Sequence, residues 1–236
     1  MGDPSAPLGR RSRAAPILEA RGLRKSFGPT VALAEVSLSL LEGEILGILG
    51  PSGSGKSTLL LCLAGILPPD GGDVWFRDRS LCSLSDAARS SLRRREFGFV
   101  FQLGQLLPEL TGEENVALPL LLGGAGRRKA RSSARALLEE LGVLDVADKR
   151  PGEMSAGQGQ RVAVARALVG QPAVIFADEP TGALDSRNAR QVMDLLVGAA
   201  HARGTAILLV THDGDVASRA DRRILLRDGR IAGGEA

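Results

Sequence analysis

Residues 50–58 read Gly50, Pro51, Ser52, Gly53, Ser54, Gly55, Lys56, Ser57, Thr58. The apolar run ILGIL at 45–49 precedes them and LLLCLA at 59–64 follows. That order is strand, glycine-rich turn, helix, and the spacing is G-x-x-x-x-G-K-[ST] with Gly50, Gly55, Lys56 and Ser57 in the required places. Small residues let successive backbone N–H groups point into a chain of phosphates, and the start of the helix adds its positive end. Lys56 is long enough to reach β- and γ-phosphates, and the Ser57 hydroxyl can hold a magnesium ion. A glycine- and serine-rich turn that binds nothing would not need both flanks.

Other polar residues stand where apolar runs stop. Asp178 and Glu179 follow the run VIFA at 174–177. In open α/β sheets ligands gather at the carboxyl ends of strands, the edge from which the phosphate loop also leaves. Asp178 is suited to hold the magnesium, and Glu179 to orient and deprotonate an attacking water. The alternative is that the two only cap the next helix, but a second carboxylate directly after a buried strand is costly unless paired. His212 ends a similar run and is read as a γ-phosphate contact, with a structural histidine as the alternative. Gln102 ends the run FGFVF at 97–101. It could ligate magnesium and sense the γ-phosphate, or do neither. His201 falls late in an amphipathic stretch and is expected to be solvated.

These residues need elements to hold them. A first strand is expected over 17–23. The alternating stretch LAEVSLSL at 33–40 has the period of a half-buried antiparallel strand. Buried strands are expected at 44–49, 97–101, 173–177 and 205–210, with a short strand from 74 and a terminal hairpin around Asp228-Gly229. Helices are expected at 85–95, 113–122, 131–141, 155–170 and 187–203, with a glycine-rich basic loop at 123–128. Ser155-Ala156-Gly157-Gln158 has capping-box spacing. The pattern is α/β with a helical insert, and shows no internal repeat.

Composition narrows the function. Hydrophobic residues make 44% and charged residues 24% of the 236, as in ordinary soluble domains. Aromatics are 3% with no Tyr, which argues against a surface that stacks nucleic-acid bases. Net charge is +3, too small to imply a nucleic-acid partner. Cys62 and Cys82 form no metal-ligand spacing, and Cys62 is expected in the core; a reducing cytoplasm fits. No run is long enough to span a membrane. Residues 1–15, with Arg10, Arg11 and Arg13, are expected to be a disordered basic tail.

The ordered set of phosphate loop, Gln102, Ser155 to Gln158, Val174 to Glu179, Gly182-Ala183-Leu184-Asp185 and His212 resembles the nucleotide-binding subunit of an ABC transporter. The likeness runs from about Ile17 to Ala232. It implies a P-loop NTPase core with a mixed sheet, an N-terminal antiparallel β part and an inserted α-helical subdomain at about 103–165, all within one ABC ATPase domain at 16–236. It implies ATP and Mg2+ as cofactors, bound by the loop residues Gly50 to Thr58 with Phe27 stacked on adenine. Gln102 becomes the coupling residue, Glu179 the catalytic base and His212 the switch. Ser155, Gly157 and Gln158 form a signature that meets the ATP of a second subunit, and Asp185 communicates across that homodimer. With no arginine finger evident, the start of the signature helix would stabilise the γ-phosphate in trans. A transmembrane permease is the implied partner, holding the subunit at the cytoplasmic face of the membrane.

Within the family, LTGEENVALPLL at 110–121 and ADEPTGALD at 177–185 resemble the branch that serves macrolide export and lipoprotein release, with FtsX-like permeases. The apolar segment 103–122 could hold the groove for a permease helix, or be ordinary helical core. Four positions depart from the family pattern. Phe27 replaces Tyr and keeps the π-face. Ala156 replaces Gly and would be strained if that residue needs an unusual backbone angle. Gly159 replaces Gln, at about 1 kcal/mol in a helix interior, and Met154 replaces Leu. Two rivals stand beside a transporter subunit. A soluble ABC protein of translation or repair usually has a long insert, but Ser155 stands only 53 positions after Gln102. The other is a weakly hydrolysing regulatory module.

Overall fold

The computed structural model describes residues 15–102 and 104–235. Apart from Ala15, the expected basic tail lies outside them. β1 (Pro16–Phe27) and β2 (Thr30–Leu41) pair antiparallel, and both are longer than the apolar alternation alone implies. β3 (Ile45–Leu49) enters a different sheet and leads through the phosphate loop into α1 (Lys56–Leu63). β4 (Gly71–Phe76) and β5 (Arg79–Ser80) return to the first sheet, whose order is β2-β1-β4-β5. β4 starts at Gly71 rather than at 74 as expected, because Gly71 and Gly72 lie close along β1: a Cβ at Gly72 would be 2.4 Å from the Gly22 carbonyl oxygen.

α2 (Asp86–Glu96), capped by Ser85, leads to β6 (Phe97–Phe101). The helical insert follows: α3 (Gly112–Leu122), α4 (Arg127–Glu140), two single 3-10 turns and α5 (Ala156–Leu168). The rest alternates: β7 (Val174–Asp178), α6 (Ser186–Arg203), β8 (Ala206–Thr211), α7 (Gly214–Ala217), β9 (Arg222–Arg227) and β10 (Arg230–Glu235). The second sheet has the order β10-β9-β3-β8-β7-β6, parallel except for the final hairpin, so it is mixed as expected. Asp228 and Gly229 have φ of 49° and 70°, the two left-handed residues that a tight hairpin turn requires.

The parallel strands read as unbroken apolar runs because both their faces are covered. Ile45, Ile175, Ala177, Ile207 and Leu209 face the helical core with α5 and α6. Leu46, Ile48, Val174, Phe176, Leu208 and Val210 face α1 and the antiparallel sheet. Cys62 is in that second core, where burial pushes its thiol up to about 11, so it packs rather than reacts.

Inside the insert, buried Glu113 on α3 is held by Arg131 and Arg135 of α4. This pairing explains why α4 begins at Arg127, inside the stretch expected to be loop. Its basic first turn opposes the helix dipole, but the ion pairs and the packing of Ala130, Ala134 and Leu138 outweigh that local preference. Asn115, fully buried, accepts from the Leu107 N–H at 2.8 Å and donates to the Leu107, Leu110 and Thr111 carbonyls. The four-residue α7 is too short for a periodicity to reveal.

Two outcomes are expected. Burial raises the Glu113 carboxyl, but hydrogen bonds from Arg135 and Arg131 and their charges outweigh it, and its pKa lies below the ordinary 4.5. Because the folded pKa is depressed, its contribution is present above that value and lost as pH falls through the folded one. Denaturation midpoints of the native protein and Glu113→Gln should therefore differ at neutral pH and converge below 4.5. Gly159 sits inside α5 with no atom within 4 Å of where a Cβ would stand. Gly159→Ala should stabilise by about 1 kcal/mol, read as a melting temperature higher by roughly 2–4 °C for a chain of this size.

Candidate functional site

The phosphate loop is built so that little but glycine fits at its ends. A Cβ at Gly50 would lie 2.1 Å from the Leu226 carbonyl oxygen, and one at Gly55 2.3 Å from that of Ala32. The turn of the β9–β10 hairpin supports the loop from beside it, with the Gly229 N–H donating to the Ser54 carbonyl at 3.1 Å. Pro51, Ser52 and Gly53 form the exposed rim. Lys56, 7% exposed, donates from its ammonium to the Gly50 and Pro51 carbonyls, each at 2.8 Å. α1 begins with Gly55 at φ 100°, without a side-chain cap and without an acidic residue in its first turn. Its first N–H groups, beside Ser57 and Thr58, are thus left for an anion. The buried Ser54 hydroxyl has no protein partner either.

Register then gathers the strand-end residues. Leu49 pairs with Thr211, Val210 with Asp178, and Asp178 with Phe101. The residues that follow, Gly50, His212, Glu179 and Gln102, therefore leave the sheet at one edge. Burial raises the Asp178 carboxyl, and a hydrogen bond from the Ser57 hydroxyl partly offsets it. Glu179 has φ of 47°, a left-handed turn that carries it out of β7 toward the end of β8. Its Oε1 accepts from the His212 N–H at 3.0 Å and lies 2.7 Å from Nδ1 of the same residue. Its Oε2 accepts from the Thr211 hydroxyl at 3.0 Å. Glu179 is thus engaged with β8 rather than acting as a cap of α6; that cap is Asp185. Gln102 is exposed and packs on Gly182, where a Cβ would come within 2.9 Å of its Nε2.

The signature residues lie elsewhere. Ser155 caps α5 in a reciprocal box with Gln158, whose amide also donates to Asp145 at 3.2 Å. Ala156 is the first helical residue and is absent from the left-handed residues described, so the strain considered for it does not arise. Among the described residues no hydrogen bond or ion pair joins 155–158 to the phosphate loop. Asp185 is exposed, and hydrogen bonds from the Asn188 backbone and side chain hold its carboxyl below the ordinary range. Phe27, 52% exposed, offers an open ring face at the end of β1, with the Lys25 ammonium 5.7 Å from its centre.

Three polar residues that the sequence does not single out tie these pieces together. Thr211 is 1% exposed and links β8 to Glu179. Gln160, 4% exposed, donates from α5 to the Phe101 carbonyl at 3.1 Å and the Pro180 carbonyl at 2.5 Å. Asn188 donates to Asp185 Oδ2 at 2.6 Å and backs onto Gly157, whose Cβ would lie 3.0 Å from its Oδ1. The one signal for Gln160 and Asn188 was an amide in an otherwise apolar or charged helix face.

A model of the ABC transporter family matches residues 33–182. Among solved structures, the chain is similar to the dimeric MJ0796 ATP-binding cassette bound to ADP and Pi in a post-hydrolysis state. That match is 37% identical with a TM-score of 0.85, covering 92% of this chain and 97% of that one. A second dimeric structure of MJ0796, a bacterial ABC transporter cassette, is 38% identical with a TM-score of 0.86 over the same shares of 92% and 97%. CbiO1 from Clostridium perfringens, part of the ABC transporter complex cbiONQ, is 30% identical with a TM-score of 0.83, covering 93% and 88%. Among the described residues no helix is long and apolar enough to cross a membrane. With this site and these likenesses, the chain belongs to the ABC transporter family, as one of its ATP-hydrolysing cassettes.

Proposed function

We propose that this cassette powers a transporter whose membrane-spanning part is a separate permease, and that two copies bind two ATP molecules head to tail between them. The reading rests above all on the shared sheet edge that carries Gly50, Asp178, Glu179, His212 and Gln102. The loop N–H groups and Lys56 hold the phosphates, and Phe27 stacks on the adenine. Ser57 and Asp178, with Gln102 on the next strand, would hold a magnesium ion. The described residues contain no group of three or more His, Cys, Asp or Glu able to hold a metal, so phosphate oxygens complete the set. When bound, the ion neutralises charge on the phosphate oxygens.

Glu179 takes a proton from water as that water's oxygen bonds to the γ-phosphorus and the bond to the β-phosphate oxygen breaks, leaving ADP and phosphate. His212 and Thr211 hold both carboxylate oxygens in place for this. Ser155 and Gly157 of one copy close over the γ-phosphate held by the other, and Asp185 reports the state of one site to its neighbour through Asn188. MJ0796 forms dimers, which supports this pairing. Closure moves the helical inserts and with them the permease; hydrolysis reopens the pair. The runs at 110–121 and 177–185 favour an exporter of the macrolide-export and lipoprotein-release branch, with an FtsX-like permease and the cassette at the cytoplasmic membrane face. The regular helical backbone of Ala156 counts against the weakly hydrolysing alternative.

Glu179→Gln should lower ATP turnover by about 100-fold or more while nucleotide binding persists; equal rates for the two proteins would remove Glu179 as the base. Thr211→Val should lower kcat by roughly 10-fold, the worth of one hydrogen bond to a charged group, at unchanged KM. Thr211→Ser should restore it. A Thr211→Val enzyme with native kcat would mean that the hydroxyl does not position the carboxylate.

A further inference from the structure

α3 and α4 are joined by the short turn 123–126. Gly123 and Gly124 return their N–H groups to the Pro119 and Leu121 carbonyls, and Ala125 donates to the Leu120 carbonyl at 2.9 Å. The turn is thus closed on itself and fixes the end of one helix beside the start of the other. Except for Ala125, every residue from 121 to 129 is exposed. Leu121 and Leu122 are 37% and 62% exposed, and Arg127, Arg128 and Lys129 follow them across the turn.

The fold explains neither set. No Asp or Glu occurs between Glu114 and Glu139, a stretch that holds five cations. Two of the five, Arg131 and Arg135, reach back to Glu113. The other three, Arg127, Arg128 and Lys129, form no ion pair among the described residues. With Gly126, Ser132 and Ser133 they line a hollow that contains no carboxylate. Positive charges in the first turn oppose the helix dipole, so these three weaken α4 rather than support it. The two leucines likewise forgo burial.

A partner that covers this tip has to satisfy both sets. A free phosphate or a nucleic-acid strand would take the charges and leave the leucines in water. An apolar surface would take the leucines and strip water from the cations. An anionic lipid surface takes both: its headgroups meet the guanidinium and ammonium groups, and the leucines reach the boundary of the acyl chains. The patch is the tip of a hairpin, which presents itself to a broad surface rather than enclosing a segment.

We propose that the tip of the insert, Leu121 to Lys129, rests directly on an anionic lipid surface. The inference rests on the transporter-subunit reading for the nearness of a membrane, and adds an attachment made by this chain itself, apart from any permease.

The test is sedimentation of the full chain with vesicles of phosphatidylcholine, alone or with about one-third phosphatidylglycerol. The chain should bind the anionic vesicles and not the neutral ones, and less as salt rises. Arg127→Gln/Arg128→Gln/Lys129→Gln should lower the partition coefficient about 100-fold, and Leu121→Ser/Leu122→Ser about 10-fold. The triple variant should melt no lower than the native protein, because it removes charges that oppose the helix dipole. A lower melting temperature would assign the three residues to the fold and overturn the proposal. Equal binding by the native and triple-variant chains would place the contact elsewhere, on the basic residues 10–13 or the arginines that end α2, and overturn it too. So would native binding by the leucine variant, which would reduce the contact to charge alone. Anionic vesicles left unbound, whether or not a soluble poly-glutamate peptide binds through the same three residues, would end it as well. Glu179→Gln turnover separates the two levels: the ATPase reading stands or falls on that rate, whatever the vesicles do.

Discussion

The phosphate loop is wedged between two backbones, and the rest of the molecule is arranged to keep it there. On one side the Leu226 carbonyl oxygen allows no side chain at Gly50; on the other the Ala32 carbonyl allows none at Gly55. One neighbour comes from β2 near the start of the chain and the other from the hairpin near its end, so the loop becomes rigid only when the whole chain has folded. That rigidity lets unpaired N–H groups stay aligned without a ligand to organise them.

The sheet does the corresponding task for the carboxylate. Four parallel strands in register bring residues 50, 102, 179 and 212 to one edge although they are far apart in sequence. The two cores hold that register. A slip by one residue would exchange Ile175 and Ala177 with Val174 and Phe176 and send each set to the wrong face. Precision at the edge thus comes from apolar packing several residues away.

Much of this was legible in the sequence because it is written in local patterns. The loop spacing, the unbroken apolar strands, the Ser155 capping box and the Asp228-Gly229 turn each state their structure within a few residues. The start of α4 was not legible: Arg127 to Lys129 look like loop, and only the distant Glu113 explains them as helix. Thr211, Gln160 and Asn188 were missed for the same reason. Their partners lie 32 residues away for Thr211 and up to 59 for Gln160, and Asn188 matters through the remote Gly157. A glycine pattern carries its own explanation, whereas a lone hydroxyl or amide acquires one only when the fold supplies its partner. The unusual backbone of Glu179 left no trace in its residue type at all.

Gln160 has a consequence for movement. A carboxamide has two N–H donors, and here both are used, one on the carbonyl of Phe101, the last residue of β6, and one on the Pro180 carbonyl just past β7. The bond to Pro180 is buried and the one to Phe101 partly so; stretching the buried one would strand a polar group at about 1–3 kcal/mol. α5 and these two strand tips therefore travel as a single lever. Gly104 and Gln105, both left-handed, are fastened to the same helix by Arg166, which donates to each of their carbonyls at 2.8 Å. A push delivered there reaches the sheet edge without being absorbed along the way.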